Sequence, residues 1–506
     1  MKLRFLGAAT TVTGSQFLLT TDRARVVIDC GLFQGSPAES ERSRVPLTYD
    51  AADVDAVLLT HSHLDHCGLL PVVVREGFTG PVFLTRATAE LTELVLFDSA
   101  KIQKEQAERR QQRARRRARQ ADQLHADARP AGDSGRAAEE ADDHEAHLRA
   151  QPPAIITEDL EPLYDEDDVA AAVALFRPVE YESPREVAPG IRATFRDAGH
   201  ILGSAIIVLD VEEGEGAARR LVFSGDLGRP GTPIIRDPTT IDDGADYVIM
   251  EATYGGREHE PAEEALRLLA EVVRETASHK GVLLIPAFAI GRTQEIVWHL
   301  DRLLTAGQIP HLPLYLDSPM ASLASDIYHR YPGYYDEETF DLLQAGETPL
   351  DFPGAQATAS PESSRAIEQA PRPMIIVASS GMLTGGRVVF HLRELIDDPD
   401  ALLLFVGYQG EGTLGAHLQA GARRVHLDGL EREVRCGVRS ISGFSAHADE
   451  SELLDWLGHF GAGDRKPRTV FLVHGDPEAL DALEPKVRAM GLSPYRPAWR
   501  EEVELA

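Results

Sequence analysis

The sequence predicts an α/β protein with more than one domain, and two patterns carry that prediction. Short apolar runs bounded by Gly, Pro or Asp recur through residues 1–100, and helical patterns stand between them. From residue 260 to 345, apolar strands alternate with amphipathic helices, which is typical of a mostly parallel sheet covered by helices. A chain of 506 residues is long enough for two or three domains.

The same patterns give the elements in chain order. Strands are predicted at RVVIDCG (25–31), DAVLLTH (55–61), GPVFLT (80–85), IRATFRDAGHILGSAIIVLD (191–210), RRLVFSGDLG (219–228), DYVIMEATYG (246–255), GVLLIPAF (281–288), HLPLYLDSP (311–319), MIIVASSG (374–381), ALLLFVGY (401–408) and TVFLVHGDP (469–477). Helices are predicted at 263–280 and 291–304. Residues 346–372 are rich in Pro, Ser and Gly, and predict a surface loop.

Composition excludes several classes of protein. No apolar run reaches about 18 residues, so we expect no membrane-spanning helix, and the first twenty residues lack the apolar core of a signal peptide. Three cysteines exclude a disulfide framework, which indicates a reducing, cytoplasmic location. A net charge of −30 argues against a generally basic protein that coats nucleic acid, but not against an enzyme with a local cationic groove or bound metals.

The segment HSHLDH, directly after an apolar run, places four metal-ligand side chains within six residues: His61, His63, Asp65 and His66. In an extended segment residues two apart face the same side, so His61 and His63 can point together. A turn before the following helix would carry the other two toward a second point. One segment can therefore serve two metals about 4 Å apart, and imidazole with carboxylate suits zinc.

Three further segments end an apolar strand with a His or Asp beside glycine. They contain His200 in AGHILGS, Asp226 in SGDLG and His474 in LVHGD. Each alone is equally compatible with an ordinary loop histidine or turn aspartate, but the set complements the first segment. Asp29 also ends a strand without a neighbouring ligand, so we interpret it as a residue that orients a ligand.

These motifs resemble the metallo-β-lactamase superfamily, whose core is an αββα sandwich that holds one or two zinc ions. MEATYG, GFSAHAD and LVHGD resemble the additional motifs of its β-CASP nucleases, while PAFAIGRTQE, LDSPMA and ASSGMLTGG resemble their inserted α/β domain. The resemblance implies a sandwich from residues 1–245 and 436–506, interrupted by a β-CASP domain at 246–435. Its nearest kin would be bacterial ribonucleases related to the endonuclease subunit of the mRNA 3′-end cleavage machinery.

The resemblance also implies a role for each site residue. One zinc ion would take His61, His63 and His200, the other would take Asp65, His66 and His474, and Asp226 would bridge them. Asp65 would also handle the proton of the attacking solvent, His447 would protonate the leaving 3′-oxygen, and Glu251 would hold His447. We expect phosphate contacts from Ser379, Ser380 and Gly381, with Arg292 and Ser318 as further contacts to RNA. Histidine at 474 favours RNA over DNA.

The expected function is zinc-dependent hydrolysis of single-stranded RNA in RNA processing or decay, as an endonuclease, with 5′–3′ exonuclease action the other option. Two alternatives stay open. A small-molecule metallohydrolase would act on a thioester, lactone or lactam, and would not need Glu251 or His447. A catalytically silent RNA-binding scaffold would typically have lost ligands. We expect no membrane partner, and a homodimer is left open.

The segment from about 101 to 185 departs from the family pattern and is predicted to be a charged helical insertion. Residues 101–120 hold nine Lys or Arg and two Glu, and an acidic block follows in 121–150. We interpret these blocks as a solvated helix and a partly disordered linker, with a basic arm that touches RNA as the alternative. Only a short tail follows His474, so we expect neither a further C-terminal domain nor, before the first strand, RNA-binding KH domains.

Overall fold

The structure is a computed structural model that describes residues 1–35, 37–127, 161–214, 218–410, 412–427, 429–461 and 465–505. The charged blocks of the expected insertion fall partly on 128–160, which lie outside the described residues. Among the described residues, no helix combines the length and the apolar character needed to cross a membrane.

The strands and helices follow in chain order. The strands are β1 Lys2–Phe5, β2 Phe17–Thr20, β3 Arg25–Ile28, β4 Ala56–Leu58, β5 Val82–Thr85, β6 Phe176–Val179, β7 Arg185–Ala188, β8 Ile191–Asp197, β9 Ala205–Val211, β10 Arg219–Phe223, β11 Tyr247–Glu251, β12 Val282–Pro286, β13 Leu314–Asp317, β14 Gln356–Ala357, β15 Met374–Ala378, β16 Ala401–Phe405, β17 Arg424–Leu427, β18 Leu430–Glu433, β19 Gly437–Ser440, β20 Thr469–Val473, β21 Pro494–Tyr495 and β22 Glu502–Glu504. The α-helices are α1 Pro37–Glu41, α2 Leu64–Cys67, α3 Leu70–Arg75, α4 Arg86–Asp127, α5 Glu166–Val173, α6 Ala262–His279, α7 Arg292–Thr305, α8 Pro319–Arg330, α9 Glu337–Gln344, α10 Pro361–Ala366, α11 Arg387–Leu395, α12 Leu414–Gln419, α13 Glu450–Gly458 and α14 Pro477–Ala489.

Two seven-stranded sheets pack face to face. Their strand orders are β22-β1-β2-β3-β4-β5-β6 and β21-β20-β11-β10-β9-β8-β7. Apolar side chains from both sheets meet between them, with the Phe5 and Phe471 rings 5.0 Å apart between centroids. Successive residues of a strand point to opposite faces, so in β3 Val26 and Ile28 enter this central core while Val27 faces the helices outside. Helices α3 to α5 cover the first sheet, and α13 and α14 cover the second.

A third sheet forms the inserted domain. Its six strands are all parallel and lie in the order β14-β13-β15-β12-β16-β19, with α6 and α7 on one face and α11 on the other. Parallel strands buried on both faces have continuous apolar sequences, as in β12 and β15, where every residue is buried. The α/β fold class predicted from the sequence is confirmed, with an αββα sandwich and an inserted α/β domain.

Four segments differ from the expected elements. Phe176–Val179, expected inside the charged insertion, pairs with β5 as the edge strand of the first sheet. Tyr247–Glu251 pairs with β10 and β20 in the sandwich, whereas Gly437–Ser440 pairs with β16 in the inserted sheet. We therefore propose that the inserted domain spans 252–441. Residues 346–372 are not one surface loop, because they contain β14 and α10 and bury Thr358 and Ser364. Within this segment Ser360 caps α10 and Pro361 is the first residue of that helix.

Candidate metal centre

The candidate ligands all stand just beyond the ends of sandwich strands. Asp29 follows β3, His61 and its neighbours follow β4, His200 follows β8, Asp226 follows β10, and His474 follows β20. Glu251 is the last residue of β11. Because these strand ends meet at one edge of the sandwich, residues from both ends of the chain converge there. Among the described residues, three neighbouring groups of potential ligand side chains result, of which the first and the third share Asp226: His61, His63, His200 and Asp226; Asp65, His66 and His474; Asp226, Glu251 and His447.

The first group surrounds one carboxylate oxygen of Asp226. Asp226 Oδ2 lies 3.4 Å from His61 Nε2 and 3.6 Å from His200 Nε2. His63 turns its Nδ1 to the same point, 3.1 Å from His61 Nε2 and 3.2 Å from His200 Nε2. Three imidazole nitrogens and a carboxylate oxygen therefore converge in a volume that suits a single tetrahedral ion.

The second group surrounds the other oxygen of Asp226. His66 Nε2 lies 3.2 Å from Asp226 Oδ1 and 3.3 Å from His474 Nε2. Asp65 Oδ2 completes this group at 3.5 Å from His474 Nε2. Asp226 therefore presents one oxygen to each group, which is the arrangement expected of a residue shared between two ions.

Four of the ligand histidines are oriented by hydrogen bonds at the ring nitrogen that faces away from the centre. His66 Nδ1 donates to Asp29 Oδ2 at 2.8 Å, and His200 Nδ1 donates to the carbonyl of Ala446 at 3.2 Å. The Thr60 hydroxyl, which donates to Asp29, accepts from His61 Nδ1 at 3.0 Å. The Thr253 hydroxyl accepts from His474 Nδ1 at 3.1 Å. In four of the five rings Nδ1 is thus occupied and the Nε2 lone pair faces the centre, which is how ligand histidines are oriented.

The charge balance of the centre fits a bound cation. Burial lowers the pKa of His61 to about 3 and that of His63 to about 4, and it also holds the pKa of His200 well below its ordinary value. These neutral rings point lone pairs at Asp226, whose Oδ1 is buried without a hydrogen-bond partner among the described residues. Converging acceptors without donors repel one another, so this arrangement of neutral rings and carboxylate fits a positive ion in their midst.

Two further ionisable groups respond to the same crowding. Burial raises the pKa of Asp65, but the neighbouring His474 and His66 outweigh burial and hold this pKa below its ordinary range. Burial lowers the pKa of His66, but the carboxylates of Asp226 and Asp29 outweigh burial and raise it well above its usual value. A divalent cation would take the place of the proton on His66, since metal binding releases protons from its ligands.

His447 stands beside the centre rather than within it. Its Nδ1 donates to Glu251, with 3.1 Å to Oε1 and 3.3 Å to Oε2, and its Nε2 lies 4.0 Å from Asp226 Oδ2. Glu251 also accepts from the backbone N–H groups of Leu227 and Thr253. With its lone pairs engaged in this way, Glu251 orients His447 and offers little to a metal. Burial lowers the pKa of His447, but Glu251 and Asp226 raise it to about 9.

The expected phosphate contacts lie at the ends of strands in the inserted sheet. Ser318 follows β13 and caps α8, and the Ser379 hydroxyl donates to the Ser318 hydroxyl at 3.0 Å. Ser380 bonds Thr384 at 3.1 Å, and Gly381 packs against Phe288. Arg292 differs, because its guanidinium is only 5% exposed and is paired with the Glu295 carboxylate, so the structure does not present it to a ligand.

Sequence reasoning missed several residues of the centre. Thr60 and Thr253 fix imidazoles, and Ser15 Oγ lies 3.4 Å from His66 Nε2. Nothing in their spacing marks them, although Thr60 is adjacent to the HSHLDH segment and Thr253 lies within MEATYG, two residues after the end of β11. Phe288 places its ring centroid 6.2 Å from that of His63. An aromatic residue inside an apolar strand-like run gives no signal that it leaves the core.

Three family models match the chain in order. They are the metallo-beta-lactamase superfamily over residues 9–150, the Beta-Casp domain over 293–418, and the Zn-dependent metallo-hydrolase RNA specificity domain over 431–497. Their combined extent takes in the strand ends that carry the candidate ligands, apart from those at 200, 226 and 251.

Similar proteins are known along nearly the full chain. Ribonuclease TTHA0252 of Thermus thermophilus is 38% identical over 484 residues, which are 96% of this chain and 95% of that protein. Transcription termination factors FttA of Methanosarcina mazei and Pyrococcus abyssi are each 30% identical, and the matches cover 96% and 98% of this chain but 69% and 70% of those proteins.

A solved structure shares the fold. The crystal structure of a protein of unknown function from Enterococcus faecalis V583 superposes with a TM-score of 0.51 at 12% identity, covering 100% of this chain and 99% of that one. At that identity the likeness concerns the fold alone. The ordered family matches and the 38% identity over nearly all of both chains carry the stronger conclusion. This chain belongs to the β-CASP ribonuclease family of the metallo-β-lactamase superfamily.

Proposed function

We propose that the protein is a zinc-dependent ribonuclease that hydrolyses phosphodiester bonds of single-stranded RNA in the cytoplasm, as an endonuclease. The observation that carries the proposal is Asp226, which offers one oxygen to each of two ligand groups beside a histidine aligned by Glu251. The name of the ribonuclease from Thermus thermophilus and the RNA specificity domain matched at 431–497 support RNA as the substrate.

Two Zn²⁺ ions would be held by the chain's own side chains. One would take His61, His63 and His200, the other would take Asp65, His66 and His474, and Asp226 would serve both. Imidazole and carboxylate are ligands that zinc prefers in catalytic sites. Zinc at such a site lowers the pKa of solvent and neutralises charge on phosphate oxygens.

The remaining steps belong to protein groups. Asp65 orients the attacking solvent by accepting a hydrogen bond from its proton. Burial raises the pKa of Asp65, but the neighbouring His474 and His66 lower it and keep the carboxylate ionised. His447 holds a proton at neutral pH because Glu251 and Asp226 outweigh burial, and its Nε2 faces the centre. It can pass that proton to the leaving 3′-oxygen, a transfer that typically contributes about 10²–10⁴-fold to a rate. Glu251 fixes the orientation of the His447 ring by accepting a hydrogen bond from its Nδ1.

Substrate recognition is assigned to the inserted domain. We propose that Ser379, Ser380 and Gly381, with Ser318, bind an RNA phosphate through hydroxyls and backbone N–H groups at the ends of β13 and β15. For Arg292 we propose a positioning role through Glu295, because its guanidinium is buried and paired. A homodimer remains compatible with this assignment.

Other functions have weaker support. A small-molecule metallohydrolase has no use for a histidine held by Glu251, and a silent scaffold has no use for the complete ligand set. The relatives named transcription termination factor favour a second candidate, a role in ending transcription. The chain matches about 70% of their length, against 95% of the ribonuclease, so ribonuclease activity is the better supported proposal.

The direct test compares the wild-type protein with the double variant Asp65→Ala/His66→Ala on single-stranded RNA. RNA labelled at the 5′ end and, separately, at the 3′ end distinguishes internal cuts from stepwise degradation. We expect cleavage by the zinc-loaded wild type, none in chelator, and none by the double variant. The matched control is Asp326→Ala/His329→Ala, which removes the same two residue types from the exposed face of α8 and should cleave normally. Equal cleavage by wild type and Asp65→Ala/His66→Ala would refute the proposal.

A second experiment isolates the proton donor. His447→Ala should cut about 10²–10⁴-fold more slowly while retaining its zinc, because His447 stands outside both ligand groups. Zinc content by elemental analysis and cleavage rate are measured on the same preparation. Parallel loss of zinc and activity would show that His447 is a ligand instead.

A further inference from the structure

Phe288 is an exposed aromatic residue in a segment that is otherwise buried. Ala287, Ala289 and Ile290 are at most 4% exposed, whereas Phe288 is 37% exposed. Its backbone is fixed, because its carbonyl accepts from both the N–H and the hydroxyl of Thr293. Leaving a phenyl ring in water forgoes the stabilisation that burial would give, so a rigid segment that does so invites a functional explanation.

The ring lies close to both the metal centre and the proposed phosphate loop. Its centroid is 6.2 Å from that of His63, a member of the first ligand group, and the two rings are tilted by 46°. The Phe288 ring also packs on Gly381, where a Cβ atom would come within 2.9 Å of two ring carbons. Glycine at 381 therefore leaves room for the ring, and Phe288 is near both a candidate metal ligand and the loop proposed to bind phosphate.

Other exposed large aromatics do not share this position. Phe340 on α9 is 41% exposed and Tyr495 on β21 is 39% exposed, and neither has a described ring contact with a member of the ligand groups. Exposure alone is therefore not the signal. The signal is exposure together with contact to both a ligand histidine and the glycine of the loop.

We propose that Phe288 is the platform on which an unpaired nucleobase, adjacent to the scissile phosphate, stacks during cleavage. The inference rests on the proposed ribonuclease function and adds the feature that selects single strands. Single-stranded RNA is commonly held by stacking of its bases on aromatic rings, and every base offers a π-face, so such a platform tolerates sequence. A base inside a duplex already has both faces covered and cannot use it.

The test uses short single-stranded RNAs in which one nucleotide at a time lacks its base. In the wild type, removing the base that stacks on Phe288 should slow cleavage by about 5- to 150-fold, the range that base–aromatic stacking supports. Removing bases elsewhere should have little effect. The same scan is repeated on Phe288→Ala, Phe288→Leu and Phe288→Trp, with Phe340→Ala as the matched exposed control.

The variants distinguish two roles for Phe288: stacking on a nucleobase, and simple apolar shielding of His63 from solvent. Stacking predicts that Phe288→Trp keeps the penalty for the missing base, while Phe288→Ala and Phe288→Leu cleave intact and base-free RNA at the same reduced rate. All variants should retain their zinc, and Phe340→Ala should match wild type. If Phe288→Leu retained the full penalty, or Phe288→Ala did, the platform would be refuted.

The outcomes also distinguish failure of the stacking platform from failure of the proposed ribonuclease function. No RNA cleavage by zinc-loaded wild type would refute the ribonuclease proposal and the platform with it. Cleavage by wild type with identical base-removal profiles in Phe288→Ala would refute the platform alone.

Discussion

Two buried aspartates, Asp226 in the sandwich and Asp317 in the inserted domain, occupy similar places and meet opposite surroundings. Both stand at the end of a strand, and they are 2% and 0% exposed. Asp317 accepts from the hydroxyls of Thr358 and Ser364, from Arg387 at 2.6 Å and from His391 at 2.6 Å. Asp226 turns its Oδ2 toward the neutral rings of His61 and His200, and its Oδ1 has no hydrogen-bond partner among the described residues.

The difference shows that the role of a buried carboxylate can be inferred from the hydrogen-bond donors and cations around it. A buried charge is tolerated when cations and donors compensate it, and Asp317 is compensated completely by its own domain. Asp226 is stabilised only through the charge of neighbouring imidazoles, and those imidazoles are themselves candidate ligands, so a cation between the ligand groups would complete its surroundings. Burial alone would have grouped the two residues together, whereas the count of donors around each separates a structural ion pair from a metal site.

The largest expected effect follows from Asp226→Asn. Loss of the shared oxygen pair should lower zinc content and reduce cleavage at least about a thousandfold, because zinc supplies several kcal/mol of transition-state stabilisation. In chelator, its free energy of unfolding should fall by less than that of Asp317→Asn. Elemental analysis, cleavage assays and urea denaturation of the same samples decide the matter. Full zinc occupancy in this variant would contradict the shared-ligand assignment.

Asp317→Asn should behave in the opposite way. Removing one member of a buried ion pair leaves Arg387 uncompensated and costs about 3–5 kcal/mol of unfolding free energy. Zinc content should stay at the wild-type level, since Asp317 belongs to none of the ligand groups. Denaturation curves with and without chelator should show the same loss. A zinc-dependent loss would mean that the two aspartates are coupled.

Asp29→Asn tests an intermediate case. Asp29 is buried like the other two, and burial raises its pKa, but Thr60 and His66 donate to it. As a residue that orients His66, its loss should weaken zinc affinity by about 10–100-fold without abolishing binding. Competition with a chromophoric chelator measures the affinity. An unchanged affinity would show that His66 is oriented by the backbone alone.

The smallest effect is on the pH dependence of stability. Burial raises the pKa of Asp317, but His391, Ser364, Thr358 and Arg387 together hold it below its ordinary value. A depressed folded-state pKa gives stabilisation that is complete above the unfolded value of about 4 and is lost as the pH falls below it. The difference in unfolding free energy between wild type and Asp317→Asn should therefore be greatest near pH 7 and shrink by pH 3. A constant difference would contradict this.

The fold was predictable because its strands are short, apolar and separated by turn residues. Val26 to Ile28 and Val282 to Pro286 are buried at every residue, and runs of that kind have few alternatives to a central strand. The edge strand β6 was missed, since FRPV has two exposed residues and a proline. The limits proposed for the inserted domain depend on which sheet β11 and β19 join, and neither the apolar sequence of β11 nor the partly polar sequence of β19 specifies its partner strand.

The candidate site was predictable where chemistry is concentrated in the sequence. The close spacing of His61, His63, Asp65 and His66 indicates a metal site. The glycines adjacent to His200, Asp226 and His474 mark these residues as further candidate ligands. Orientation was not predictable: no pattern says that His63 turns Nδ1 inward while the other rings turn Nε2 inward. Nor could the sequence reveal that Arg292 is neutralised by Glu295, or that Phe288 leaves the core, because both depend on packing between distant segments.

The placement of β20 has a consequence for timing. His474 and its strand pair with β11, and the Asp226 that both ligand groups share lies about 250 residues earlier in the chain. At about 5–20 residues per second, a ribosome needs roughly 12 to 50 seconds to travel between them. Throughout that interval the growing chain has every member of the first ligand group but lacks His474 of the second. The centre is thus completed only after His474 has been synthesised, and a product released earlier lacks that ligand together with the strands β21 and β22 of the sandwich.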